Sequence, residues 1–394
     1  IYGPIVTLLS SFGTLVGIGG SIWLSMCLGQ KNEKRASQIL YNSFVMLVVL
    51  SICLTLGFIL LKHNLIYWFG GSDALYPYAN TYLTIYTLGT FFALMSIGLN
   101  YFITGQGYAT IAMLSVCIGA ITNIIFDFIL IRTLKIGVAG AAIGTVVAQF
   151  LSCMFVLCFL RFKSKIKLHK EELSIEKMKH IVKLGFSPFL IIASDSIILI
   201  VMNMMLQKYG GDMGDIYISA ITVAQSYFLL ITGPLLGISS GTQPIYAYHF
   251  GAQNLKKIKE AFKIVISFAF LFCLVMFIIS MCYSNVFVAM FTNDAMTMPI
   301  ADRAIKIFCL GILMMSIQYV LVDGITGLSN VKLSLFLSLN RKLMYLCCTC
   351  LLPAFLGVSN IFYAQPIADI YASIVTVVCF IKIIPSYLKS HGVQ

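Results

Sequence analysis

Apolar stretches of twenty residues or more recur along this whole chain, and they constrain its fold more than any single motif. A helix needs about 20 residues to cross ~30 Å of hydrocarbon. Eleven runs are long enough: 4–28, 36–61, 77–104, 109–131, 138–160, 185–207, 216–249, 261–283, 303–327, 333–356 and 360–384. With no water to satisfy backbone N–H and C=O groups, such runs are read as helices. The chain is 60% hydrophobic and 10% charged, with a mean hydropathy of +0.96, whereas soluble domains carry about 25% charged residues. The expected class is an all-α polytopic membrane protein. Run 216–249 exceeds one span, so a kink or tilt is expected there, with Gly233, Pro234, Gly237 and Pro244 as places for it.

A net charge of +12 invites a nucleic-acid partner, but the positions of the bases argue against one. Counting loops alternately on two sides, eighteen Lys and Arg fall on one side and six on the other, while Arg341 and Lys342 lie inside the tenth run and stay unplaced. That bias is the positive-inside rule, and it puts the richer loops and the C-terminus in the cytoplasm of a multi-pass protein of the inner (plasma) membrane. Most of the twelve cysteines fall inside runs, with no His or carboxylate nearby to complete a metal set, and read as small packing residues. No transition metal is expected. The chain lacks HExxH and GxxxxGK[ST] patterns, so no enzyme is expected.

A shift of 222 residues brings many positions into register without gaps. Gly19 meets Gly241, Gly29 meets Gly251, Asn32 meets Asn254, Pro77 meets Pro299, Gly89 meets Gly311, and Ile103-Thr104-Gly105 meets Ile325-Thr326-Gly327. Six runs separate the copies, so both enter the membrane in the same sense, as parallel repeats. The expected organisation is an N-terminal lobe over 1–160, a basic cytoplasmic linker over 161–184 and a C-terminal lobe over 185–394. Within the linker, Leu173, Met178, Ile181 and Val182 are spaced for one face of a short amphipathic helix. Shifting run 185–207 back by 222 places its partner before residue 1. The reading is therefore two six-helix lobes, twelve spans in the intact protein, with eleven here and the first missing.

Asn123 and Asp127, in "TNIIFDFILI" (122–131), stand four apart in an apolar run. That spacing puts both on one helix face. A mid-membrane charge costs at least ~2.5–3.5 kcal/mol on insertion scales, so it needs a partner or a role. The turn near 132–137 brings Thr145 to a similar depth, and Gln149 extends the same face. Carboxylate, amide carbonyl and hydroxyl are hard ligands that suit Na⁺; a buried Asp127 is equally fit to carry a proton. The structural alternative is an interhelical hydrogen-bonded pair. At the positions 222 residues on stand Tyr345 and Thr349, so the repeat itself does not require the pair.

"GGSIWLSMCLGQKNEKRA" (19–36), "SSGTQPIYAYHFGAQNLKKI" (239–258), "KIGVAGAAIGTVVAQ" (135–149) and "AQPIADIYASIVTVV" (364–378) resemble the multidrug and toxin extrusion (MATE) family over essentially the whole chain. The closest likeness is to the bacterial branch with its cation site in the N-terminal lobe. The resemblance implies export of amphipathic organic cations driven by inward Na⁺ or H⁺, by alternating access of two lobes. It matches Asn123, Asp127 and Thr145 to that site, whose first-helix Asp would precede residue 1.

Four further polar positions and one proline are singled out. Asp195 and Gln243 are candidates for substrate or a second ion, as is Asp323, which lies one turn from the cytoplasmic end of its run; Asp369 reads as structural. Pro244 is a candidate gating kink. Gly13-xxx-Gly17 reads as close helix packing. Expected partners are small organic cations and the lipid bilayer; a monomer is expected, without nucleic acid and without a cofactor beyond the coupling ion. The rival reading is a lipid-linked oligosaccharide flippase on the same two-lobe plan, which calls for cavity-facing bases; apart from Arg341 and Lys342 no base falls clearly in mid-span.

Overall fold

The structure, a computed structural model, describes residues 2–68, 76–292 and 294–393, except for the side chains of 2–5, 65, 67, 68, 195–197, 199, 200 and 212. No strand occurs among them, and the all-α polytopic class holds. The helices are α1 (Tyr2–Gly29), α2 (Glu33–Trp68), α3 (Tyr76–Leu88), α4 (Thr90–Gly105), α5 (Ala109–Asp127), α6 (Val138–Cys158), α7 (Ile175–Gly210), α8 (Gly214–Gly251), α9 (Leu255–Phe291), α10 (Thr297–Cys309), α11 (Ile312–Gly327), α12 (Val331–Leu356) and α13 (Ala364–Ser390). Wider π-helical turns continue α5 over Phe128–Thr133 and α6 over Phe159–Lys163. Among the described residues, eight helices are long and apolar enough to span a bilayer, and the bent pairs α3–α4 and α10–α11 bring the number to ten. The remaining predicted run, 185–207, lies in α7.

Two of the expected spans are not single unbroken helices. Runs 77–104 and 303–327 are each a pair of helices, bent by 55° and 49°. The breaks fall at the repeat-related Gly89 and Gly311. A side chain at Gly89 would strike Val146, and one at Gly311 would approach the Pro366 Cα at 2.9 Å. Each glycine thus lets a neighbouring helix close on the bend. The ninth run also starts earlier than expected, at Thr297.

The chain divides into two compact units, residues 1–193 and 194–394. In the first, α1 is largely buried, packed against α4 and α2. Its glycines make that possible, because a Cβ on Gly17 would come within 2.8 Å of the Gly98 carbonyl. Ser25 Oγ donates to the Gly105 carbonyl at 2.8 Å, joining the same helices. In the second unit α8 packs against α9, α10 and α11 around a core that includes Tyr227, Tyr246, Phe262, Phe308 and Phe362. Helix α8 runs unbroken through Pro234 and Pro244, so the kink expected over 216–249 does not appear as a break.

The expected boundary of the second lobe, residue 185, falls inside the first unit. Segment 161–193 packs there because its backbone is captured by the first unit's helices. A Cβ on Gly185 would overlap the Leu15 carbonyl, and one on Gly19 would overlap the Ile181 carbonyl. The predicted short amphipathic helix is instead the first part of the 36-residue α7. Ile181 and Leu184 are buried there, whereas Leu173 is exposed because it precedes the helix and escapes its periodicity.

Candidate functional site

Helices α5 and α6 approach closely because α6 carries Gly140, Gly144 and Ala148 at steps of four, one face of small residues. The neighbours of Gly140 and Gly144 are Leu130 and Asp127 of the α5 segment, while Gly119 of α5 faces Ala148 and Ser152. Asn123 Nδ2 donates to Thr145 Oγ1 at 3.4 Å, and Thr145 Oγ1 spends its proton on the Ala141 carbonyl at 2.9 Å. Gln149 Nε2 donates to the Tyr86 hydroxyl at 3.3 Å. Asn123, Thr145 and Gln149 all line one cavity of about 470 Å³, together with Asn100, Tyr101 and Thr104 of α4.

Asp127 stands off that wall. Its Oδ1 is buried and without a hydrogen-bond partner among the described residues, and a Cβ added at Gly144 would sit 2.5 Å from it. The structure therefore brings Asn123, Thr145 and Gln149 to one surface and sets the carboxylate one turn along α5, where the π-helical turn begins. Two more acceptors, Asn100 Oδ1 and Gln149 Oε1, are likewise buried without partners among the described residues. Asn100 and Tyr86 were not singled out in the sequence. Asn100 carried a signal, an amide in the apolar stretch "SIGLNYFITG"; Tyr86 carried none, since tyrosines are common in the chain.

In the second unit the structure joins two candidates. Asp323 on α11 accepts from Gln243 Nε2 at 2.9 Å and from the Ser239 hydroxyl, both on α8. The acid placed one turn from the cytoplasmic end of its run is thus tied into a helix interface. The side chain of Asp195 lies outside the described residues. Pro244 stands next to Gln243 in the unbroken α8. Asp369, fully buried, accepts from Arg341 at 3.1 Å and from Gln365 at 2.8 Å. Arg341 also donates to the Tyr319 hydroxyl at 3.2 Å, and its guanidinium stands 5.1 Å from that ring's centre.

Arg341 and Lys342, unplaced in the sequence, sit ten and eleven residues into α12, ~15 Å along it at 1.5 Å per residue. Both are buried. Bases do lie in mid-span, and Asp369 is what makes the arginine tolerable there.

The family profile described as MatE matches residues 1–129 and 192–347. "Multidrug export protein MepA" of Staphylococcus haemolyticus (strain JCSC1435) is 25% identical over 377 residues, covering 93% of this chain and 80% of that protein. The fold is similar to that of the solved structure "Crystal structure of MATE in the bent conformation", with a TM-score of 0.91, 21% identity, and 99% of this chain and 88% of that one covered. It is also similar to a transporter from Pyrococcus furiosus whose structure is described by "Reverse polarity of binding pocket suggests different function of a MOP superfamily transporter", with a TM-score of 0.93, 21% identity, and 98% and 87% covered. A family profile that matches most of this chain, joined to an all-helical fold of that kind, makes it a member of the MatE family.

Proposed function

We propose that this protein exports amphipathic organic cations across the plasma membrane by alternating access, driven by inward Na⁺ or H⁺. Similarity to the multidrug export protein MepA supports the export of drugs. The observation that carries the coupling is the α5–α6 pair, where the buried Asp127 oxygen has no hydrogen-bond partner among the described residues, one turn from a bonded Asn123–Thr145 amide and hydroxyl. An oxygen acceptor left without a donor in a low-dielectric setting is costly unless a cation or a proton meets it. Asn123, Thr145 and Gln149 shape the cavity wall beside it. Filling the Asp127 position biases the conformation of the protein, and a drug that prefers the other conformation is displaced outward.

The test is efflux of a fluorescent organic cation from proteoliposomes under an imposed Na⁺ or pH gradient, comparing wild type with Asp127→Asn. The expected outcome is gradient-driven transport in wild type and loss of that response in the variant, with the effective gradient naming the ion. Normal gradient-driven transport by the variant sinks the proposal. Arg341 and Lys342, buried in mid-span, favour the flippase reading. Arg341 is already engaged by Asp369 and Tyr319, however, which weakens their claim on an anionic substrate. Movement of a lipid-linked anionic sugar, with no organic-cation flux, would establish that alternative.

A further inference from the structure

The connection from α6 to α7 is a fixed strap whose backbone is held by two polar side chains of the first unit. Gln106 accepts from the Ile166 N–H at 2.7 Å and donates to its carbonyl at 3.3 Å. Asn42 accepts from the Ser174 N–H at 2.9 Å and donates to the Glu172 carbonyl at 3.0 Å. Along this strap, basic and bulky apolar side chains are exposed together. Lys163, Lys167 and Lys170 are exposed, and Phe162, Leu173 and Ile175 are 69%, 54% and 73% exposed. Segment 161–184 has eight Lys and Arg against the acids Glu171, Glu172 and Glu176. Glu171 is engaged by His169 at 2.9 Å, and Lys165 by Glu33 at 3.0 Å. The ammonium groups of Lys163, Lys167 and Lys170 make no ion pair among the described residues.

Continuity with α6 fixes where this surface lies. Phe162 and Lys163 end the helical segment Val138–Lys163, which is long and apolar enough to span, so the strap begins where that span leaves the hydrocarbon. Bulky apolar groups beside an excess of lysines at that depth match the boundary between acyl chains and acidic headgroups. A water-facing protein partner would match the lysines and leave the apolar residues unexplained. We propose that segment 161–175 is a docking surface for acidic phospholipids. Headgroup phosphates meet Lys163, Lys167 and Lys170, and Phe162, Leu173 and Ile175 enter the acyl boundary. Because Gln106 and Asn42 already order the backbone, binding needs little further ordering of the chain.

The test titrates the full-length protein, in a neutral detergent, with phosphatidylglycerol or phosphatidylcholine and counts bound lipids by native mass spectrometry. A base near an acidic surface strengthens binding on the order of fivefold. K163Q/K167Q/K170Q should therefore weaken phosphatidylglycerol binding by roughly 100-fold, and K163R/K167R/K170R should retain it. F162S/I175S should weaken both lipids, while K256Q/K257Q/K259Q should change neither. The proposal is overturned if the Gln variant binds phosphatidylglycerol like wild type, which would leave an acidic protein as the partner, or if the control variant loses as much. It is equally overturned if glycerol phosphate displaces the lipid fully while F162S/I175S has no effect, since that marks a bare anion site. Should the Gln variant fail to fold, the Arg and Ser variants decide.

Discussion

Residues 119–120 and 341–342 stand at the same step of the internal repeat, and the molecule uses them in opposite ways. In the first unit the step holds Gly119 and Ala120, which leave room and line the cavity with Ile97 of α4. In the second it holds Arg341 and Lys342, and the counterpart of Ile97 is Tyr319, whose hydroxyl the arginine reaches. The polar partners diverge too, since Asn123 and Asp127 stand where the second unit has Tyr345 and Thr349. Thr349 is fully buried and, among the described residues, bonds locally to the Tyr345 carbonyl at 2.8 Å. One architecture therefore supports two interiors: small side chains leave room beside a cavity, whereas a large, positively charged one needs a buried counter-charge, which Asp369 supplies to Arg341.

The comparison breaks most sharply at the ion pair. Arg341→Met leaves the buried Asp369 carboxylate without its strongest partner, and such losses typically cost ~3–5 kcal/mol. The expected result is a large drop in the thermal midpoint in detergent, most of it recovered when Asp369→Asn is added. An unchanged midpoint in the single variant would mean the pair is not what holds α11, α12 and α13 together. A smaller effect of opposite sign is expected at the repeat-related Gly119. An added Cβ there meets Ser152 Cβ at an ordinary 3.6 Å, so Gly119→Ala should stabilise by up to about 1 kcal/mol. The same variant narrows the cavity, and reduced efflux of the larger cations only would sharpen the contrast. The smallest effect belongs to Asn123→Ala, which removes one long interhelical hydrogen bond worth about 0.6 kcal/mol. A much larger stability loss there would assign the pair a structural role.

Periodicity and length made the helices legible because hydrocarbon leaves the backbone no other solution. The 222-residue offset also survives in three dimensions: α5 and α12 begin 222 residues apart, as do α2 and α9, and α4 and α11 match at both ends. Asn123 was legible because it stands four residues from a carboxylate in an apolar run, and Thr145 because the turn near 132–137 brings it to a similar depth. Arg341 resisted placement because its cost is cancelled by Asp369, 28 residues away and on another helix. The bends at Gly89 and Gly311 depend on which helix closes on each glycine, which no local window contains. The strap over 161–174 read only as part of a basic linker because the side chains that order it, Gln106 and Asn42, come from other parts of the chain.

The two π-helical turns change how side chains correspond between the repeats. In each, a backbone bond reaches five residues back, from the Leu134 N–H to the Ile129 carbonyl at 2.9 Å and from the Ser164 N–H to the Phe159 carbonyl at 3.0 Å. Such a turn holds about one residue more than an α-turn, so it acts on orientation as a frameshift acts on a message. Up to Asp127 both copies are α-helical at residues 222 apart; beyond it the added residue shifts side-chain direction in the first unit alone. Helix α12 stays α-helical past the corresponding point. A substitution transplanted between the two segments beyond residue 127 would therefore arrive facing a different neighbour.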